Sequence, residues 1–165
     1  TLDFLNLDIN EQFDAIFSVF DSVNYLQTES EIEVMLNECS KVLKDEGILI
    51  FDFSTPLNSM EAVDYLNNEE AQVNNLRFFR TSDYDAVNKI HTNTFEIEEL
   101  SKDKKEVVSS FKEVHKQRIY SLEEMLSILK QTPYHLVAKY GDFDLIDADE
   151  NSARITLVLK CQKHL

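Results

Sequence analysis

Glycine is nearly missing from this chain, with two in 165 residues, Gly47 and Gly141. Neither sits in a glycine-rich loop, so the sequence holds no phosphate cradle and no dinucleotide fingerprint. Positive charge is scarce as well: 16 lysines and arginines stand against 31 aspartates and glutamates, a formal charge of −15. A field of that sign repels a phosphate backbone, and the one basic cluster, Lys102-Asp103-Lys104-Lys105, carries its own carboxylate and reads as a solvated turn. Nucleic acid is therefore not an expected partner. No apolar run approaches the ~18 residues of a membrane span, and no basic-then-apolar leader marks the chain for export. Two cysteines, Cys39 and Cys161, lie far apart without metal-type spacing. They read as packed, reduced thiols, which suits a cytoplasmic protein.

What is present is the composition of one ordinary globular domain, 43% hydrophobic and 28% charged. Phe13 to Phe20 is a short, nearly continuous apolar run of the kind buried in a parallel sheet. Thr28 and Glu31 have capping-box spacing, and Ile32, Met35, Leu36, Cys39, Val42 and Leu43 follow at helical intervals. The "KDEG" segment ends that helix, with Gly47 suited to a left-handed position. Ile48 to Phe53 is a second buried strand, and strand, helix, strand at this spacing predicts a right-handed crossover with parallel neighbours.

After Pro56 the pattern changes. Residues 58–72 are polar and weakly helical, and from about Arg77 to Tyr120 the apolar positions alternate as in half-exposed antiparallel strands. A turn at Ser101 to Lys104 separates the last two of these strands. Ser121 with Glu124 caps a second clear helix whose inner face is Leu122, Met125, Leu126 and Leu129. "YHLVAKYGDF" and "ARITLVLKCQ" close the chain as an antiparallel pair.

These words, in this order, resemble the class I S-adenosylmethionine-dependent methyltransferases of small-molecule type. "FDAI" matches their fourth strand, "DSVNYL" the segment after it and "LKDEGILIFDF" the entry into the fifth. "EVHKQRIYSLEEM" is similar to the His-x-x-Arg-x-Tyr segment before the last helix, and "GDF" with "ARITLVLKCQK" to the closing hairpin. The family's first strand with its glycine-rich turn, and its second strand ending in an acidic residue, have no counterpart. The resemblance therefore implies an α/β fold, a partial Rossmann-like methyltransferase sheet of strands four to seven. Residues 1–56 and 121–165 would form its core, and residues 57–120 an inserted antiparallel β extension over the active-site end. It also implies S-adenosylmethionine as cofactor and a small-molecule acceptor.

In a doubly wound sheet, ligands settle at the carboxyl ends of the strands. The resemblance places Asp3 and Phe4 where the family contacts adenine, and Phe20 and Asp21 beside the rest of the cofactor. Asn24, Tyr25 and Tyr120 become acceptor-binding candidates, and Asp21, His115 and Arg118 catalytic ones. Each has a plainer reading. Asp3 reads equally as a loop carboxylate, Asp21 as an Asx turn, Asn24 and Tyr25 as the approach to a capped helix, and Arg118 as a fixed ion pair. Strand alternation sets His115 and Arg118 on opposite faces unless a bulge intervenes. His91 and His135 read as ordinary strand-surface residues, and His164 as part of a frayed terminus. No metal-ligand spacing appears, so a metal-assisted hydrolase using Asp21 and Asp52 ranks last. The competing reading from a different class is a non-catalytic α/β interaction module without its cofactor half. In either case Phe13–Phe20 lies at a sheet edge when the first three strands are absent, and such edges favour self-association.

Overall fold

The computed structural model describes residues 3–103 and 105–163. The elements run β1 (Phe13–Ser18), a 3-10 turn (Ser22–Tyr25), α1 (Glu29–Val42), β2 (Leu43–Ser54), α2 (Pro56–Leu66), β3 (Glu69–Val73), β4 (Leu76–Asp85), β5 (Ile90–Leu100), β6 (Val107–Arg118), α3 (Leu122–Leu129), β7 (Tyr134–Gly141), β8 (Ile146–Asp147) and β9 (Arg154–Cys161). They form two compact units, residues 1–58 with 118–165 and residues 59–117.

The first unit is built on a five-stranded sheet of order β1-β2-β9-β7-β8. β1 and β2 pair in parallel, Ala15 opposite Ile48 and Ser18 opposite Phe51, as the crossover pattern predicts. β2 with β9 and β9 with β7 are antiparallel. Odd-numbered residues of β2 (Leu49, Phe51, Phe53) and β9 (Ile155, Leu157, Leu159) share one face. Onto that face α1 brings Ile32, Met35, Leu36 and Cys39, and α3 brings Leu122, Met125, Ile128 and Leu129. Both helices start in complete capping boxes, Thr28 with Glu31 and Ser121 with Glu124. Each box supplies partners to otherwise orphaned N–H groups of the first turn, an effect of about 1 kcal/mol per cap.

Two expectations change. β1 is not buried: Phe17 is 72% exposed and Phe13 38%. Its apolar composition is that of a central strand, yet among the described residues it has a sheet neighbour on one side only. Gly47 is not left-handed either. α1 ends at Val42, the left-handed residue is Glu46 (φ 63°), and Leu43 already pairs with Phe13. The pairing then skips from Leu43 to Ile48, so Lys44 to Gly47 bulge out, with the Lys44 ammonium 2.7 Å from the Asp14 carboxylate. Glycine is required at 47 by proximity, since a Cβ there would lie 2.8 Å from the Lys44 carbonyl oxygen and 3.3 Å from that of Asp14. Gly47→Ala is expected to cost about 1–3 kcal/mol through forced backbone movement. Urea unfolding of the variant checks this, and an unchanged midpoint would show that the bulge gives way freely.

The second unit is a four-stranded sheet of order β3-β4-β5-β6. β4 and β5 are in continuous antiparallel register from Leu76 opposite Glu99 to Asp85 opposite Ile90. At the turn between them, the Asp85 carboxylate accepts the N–H groups of Val87 and Asn88. The Ser101 amide bonds to the Glu106 carbonyl where β5 turns into β6, while Lys104, in the expected turn, lies outside the described residues, as does His164.

Candidate functional site

In the first unit a cluster of interacting polar side chains lies at the carboxyl ends of β1 and β2. After β1 the chain turns through two successive left-handed residues, Phe20 (φ 60°) and Asp21 (φ 50°). Such backbone is uncommon for an aromatic residue and clusters at functional sites. The turn brings the Asp21 N–H to the Asp52 carboxylate at 2.9 Å. Asp52 and Arg154 sit on the sheet face opposite the core, diagonally placed on β2 and β9. The Arg154 guanidinium lies 3.0 Å from Asp52 and 3.4 Å from Asp21, and stacks over the Phe143 ring at 5.1 Å. Its backbone is held too: Asp142, left-handed like Phe143, donates its N–H to the Arg154 carbonyl and accepts the Arg154 N–H.

The cluster carries two carboxylates against one guanidinium, a local excess of one negative charge. Asp52 is deeply buried (its side chain 4% exposed), Arg154 and Asp21 less so. Around it stand exposed aromatic surfaces: Phe20 is 73% exposed and Tyr25 48%. The Tyr25 phenol is raised above its ordinary pKa by burial first and by the Asp21 carboxylate second, so the two are electrostatically in touch. An acidic rim beside open aromatic faces suits a ligand carrying positive charge and flat rings.

Other candidates are put to structural use. Asn24 is fully buried, donating to the Ser54 and Arg118 carbonyls at 3.2 and 2.8 Å and accepting the Ser54 N–H at 2.8 Å. It ties the turn after β1 to the ends of β2 and β6. Tyr120 is also fully buried and donates its hydroxyl to the Leu26 carbonyl at 2.8 Å. Arg118 donates to the Ile119 carbonyl and lies 3.4 Å from Glu124, stacked on Tyr120. That is the fixed ion pair of the plainer reading, at the capping box of α3. Asp3 accepts the Leu5 N–H at 2.9 Å, leaving Phe4 partly exposed beside it.

His115 belongs to the second unit, its ring edge-on to Phe95 at 5.5 Å and its Nε2 3.5 Å from Glu113. His91 is not a surface residue: it is buried, bonded through Nε2 to the Ser82 hydroxyl at 2.8 Å and stacked with Tyr84. His135 is half-buried, with its Nδ1 shielded and without a hydrogen-bond partner. Sequence reasoning missed Arg154 entirely. Its only signal was an arginine opening the last strand, with carboxylates to meet it far back in the chain.

Both cysteines are free and buried. Burial, with Glu38 adding a little, pushes the Cys39 thiol up from 9.0 to about 11. Burial likewise raises Tyr120 and Tyr134 well above the usual phenol range. A folded-state pKa above the unfolded one means stability is intact below the unfolded value and lost as pH climbs toward the folded one. The expected result is alkaline destabilisation beginning near pH 9 and reaching about 2–3 kcal/mol from Cys39 alone near pH 11. Urea midpoints measured across that range check it; a flat profile would show that Cys39 ionises in place.

No family model matches the sequence. It is 30% identical over 169 aligned positions to the "Putative methyltransferase YqeM" of Bacillus subtilis (strain 168). That alignment takes in 97% of this chain and 65% of the relative, so the chain spans a little under two thirds of that protein's length. Among solved structures, an S-adenosylmethionine-dependent methyltransferase from Clostridium acetobutylicum superposes with a TM-score of 0.77 at 21% identity, over 98% of this chain and 63% of that one. The CcbJ methyltransferase from Streptomyces caelestis gives 0.73 at 15%, over 97% and 62%. The sugar N-methyltransferase KedS8 from Streptoalloteichus gives 0.68 at 14%, over 99% and 61%.

Proposed function

We propose that this chain, with the fold of S-adenosylmethionine-dependent methyltransferases and 30% identity to a putative methyltransferase, contributes part of a site transferring a methyl group to a small molecule. The observation that carries this reading is the left-handed turn at Phe20-Asp21, anchored to Asp52 and bordered by Tyr25. The residues present suit the cofactor. Asp21, at an acidic and partly open rim, would hold a cationic ammonium or sulfonium, and the exposed faces of Phe4, Phe20 and Tyr25 would cover flat rings. Bound there, S-adenosylmethionine would supply an activated methyl on a sulfonium. This chain's own part is orientation and exclusion of water, and positioning alone can be worth roughly 7–11 kcal/mol in such a displacement. Arg154 and Asp52 keep the Asp21 backbone in place.

The test is an NMR titration of the chain with S-adenosylmethionine. Shifts should concentrate at the Phe20, Asp21 and Tyr25 amides and vanish in Asp21→Asn. Silence at those amides up to millimolar cofactor would leave the interaction-module reading standing.

That alternative is favoured by one observation, the exposure of Phe13 and Phe17 on a strand that has one sheet neighbour among the described residues, with Val19 and Phe20 exposed just beyond its end. Unpaired, apolar strand edges recruit other strands. The chain is expected to self-associate through β1 at micromolar concentration, and Phe17→Lys to return it to monomer. Light scattering reporting a wild-type monomer would remove the idea.

A further inference from the structure

One face of the second unit's sheet holds a cavity of about 180 Å³ lined by Glu69, Ala71, Phe78, Arg80 and Phe95. The register explains the gathering: Glu69 and Ala71 on β3 stand opposite Arg80 and Phe78 on β4, and Arg80 stands opposite Phe95 on β5. Its lining is apolar and aromatic except for the Arg80 guanidinium and the Glu69 carboxylate.

Arg80 is held in a fixed pose. Its Nε and Nη2 both donate to the Asn93 side-chain carbonyl, at 3.1 and 2.9 Å, and its guanidinium lies 5.1 Å over the Phe95 ring. Asn93 is itself buried, as is the adjoining Ser82–His91 pair. The third nitrogen, Nη1, faces the Glu69 carboxylate at 3.7 Å, an ion-pair distance but longer than a hydrogen bond. Glu69 is about half exposed (53%), and an exposed pair of this kind contributes ~0–1 kcal/mol. Among the described residues, the Nη1 edge of this rigid guanidinium thus faces a loose surface carboxylate, next to an aromatic slot.

We propose that this cavity binds a small amphipathic carboxylate, its acid group replacing Glu69 on Arg80 Nη1 and its apolar or aromatic body between Phe78 and Phe95. A pre-positioned guanidinium favours a carboxylate because its donors are already aligned and little rotamer freedom is lost on binding. A cation of the same shape meets Arg80 head-on. The chain's overall charge of −15 works against any anion, so affinity must come from this one contact and the slot. The proposal stands on the second unit alone and does not depend on methyl transfer.

Phenylacetate and phenethylamine, equal in body and opposite in charge, are the probes, titrated into the full chain by calorimetry without cofactor. Phenylacetate should bind saturably in the millimolar range or tighter, with phenethylamine at least about tenfold weaker. Arg80→Met should weaken phenylacetate about tenfold or more, with the unfolding midpoint and the methyl spectrum of the first unit serving as fold controls. Glu69→Gln, an exposed change, should tighten phenylacetate by about two- to fivefold by removing the competitor. Absence of saturable phenylacetate binding overturns the proposal. So does equal binding of the amine, or a folded Arg80→Met with wild-type affinity. Should Arg80→Met fail to fold, Glu69→Gln decides alone: unchanged or weaker binding overturns it.

Discussion

Arg154→Met is expected to lower the unfolding free energy by about 3–5 kcal/mol. Methionine keeps the length and the contact with the Phe143 ring but removes the cation that Asp52 and Asp21 share. Asp52 has a side chain only 4% exposed, so water cannot replace the guanidinium without the strand end opening. A loss of this size is a large part of a domain's total of roughly 5–15 kcal/mol. Urea unfolding of the single variant, and of the double variant Arg154→Met with Asp52→Asn, checks the cause. Taking away the stranded carboxylate should restore much of the stability, since neutral pairs are tolerated where lone buried charges are not. A single-variant loss below about 1 kcal/mol would mean that Asp52 is solvated and the cluster rigidifies nothing.

Asn24→Ala should be nearly as severe, at about 3–5 kcal/mol, for a different reason. Three hydrogen bonds disappear at once, and the Ser54 N–H and the Ser54 and Arg118 carbonyls lose a buried partner. Each abandoned buried group costs about 1–3 kcal/mol unless water reaches it. Asn24→Asp discriminates hydrogen-bond geometry from simple filling of space. It keeps the shape but turns two donors into a negative oxygen facing two carbonyls, and it should be at least as damaging as alanine. Hydrogen exchange at the Ser54 amide gives a local readout, with faster exchange in both variants. An Asn24→Asp protein as stable as wild type would show that the side chain packs and does not bond.

Local features were legible from the sequence. Both capping boxes need residues only three apart, the β1–α1–β2 crossover is written in a contiguous stretch, and alternation alone marks the antiparallel strands between about Arg77 and Tyr120. What was not legible depends on partners distant in the chain. Asn24 is a pocket residue or a tie according to what lies 30 and 94 positions away, and Tyr120 turns inward because the Leu26 carbonyl, 94 positions back, meets its hydroxyl. Arg154 went unnoticed because its main carboxylate is 102 residues earlier. The exposure of β1 follows from the resemblance, which leaves Phe13–Phe20 at an edge, and not from periodicity, which reports which side chains are apolar but not how many strands stand beside them. Gly47 was assigned the right residue type with the wrong cause, since crowding by a neighbouring carbonyl and a left-handed backbone both select glycine.

Eight described residues other than glycine hold left-handed backbone, Phe20, Asp21, Glu46, Asn68, Asn74, Lys89, Asp142 and Phe143, and neither glycine does. Asparagine and aspartate tolerate that well, but Phe20, Glu46, Lys89 and Phe143 do not, at about 1–2 kcal/mol each. A glycine at Lys89 would relax the folded turn and at the same time widen the ensemble of the unfolded chain, two effects of similar size and opposite sign. At Phe20 and Asp21 the balance has a further result. The left-handed well is a small island with few accessible neighbours for a residue that carries a Cβ. An aromatic ring that is 73% open to water would ordinarily sweep through several directions with its backbone. Here the main chain beneath it is confined by sterics, so the direction in which Phe20 leaves the backbone, and the aim of the Asp21 N–H at Asp52, are set before any ligand arrives.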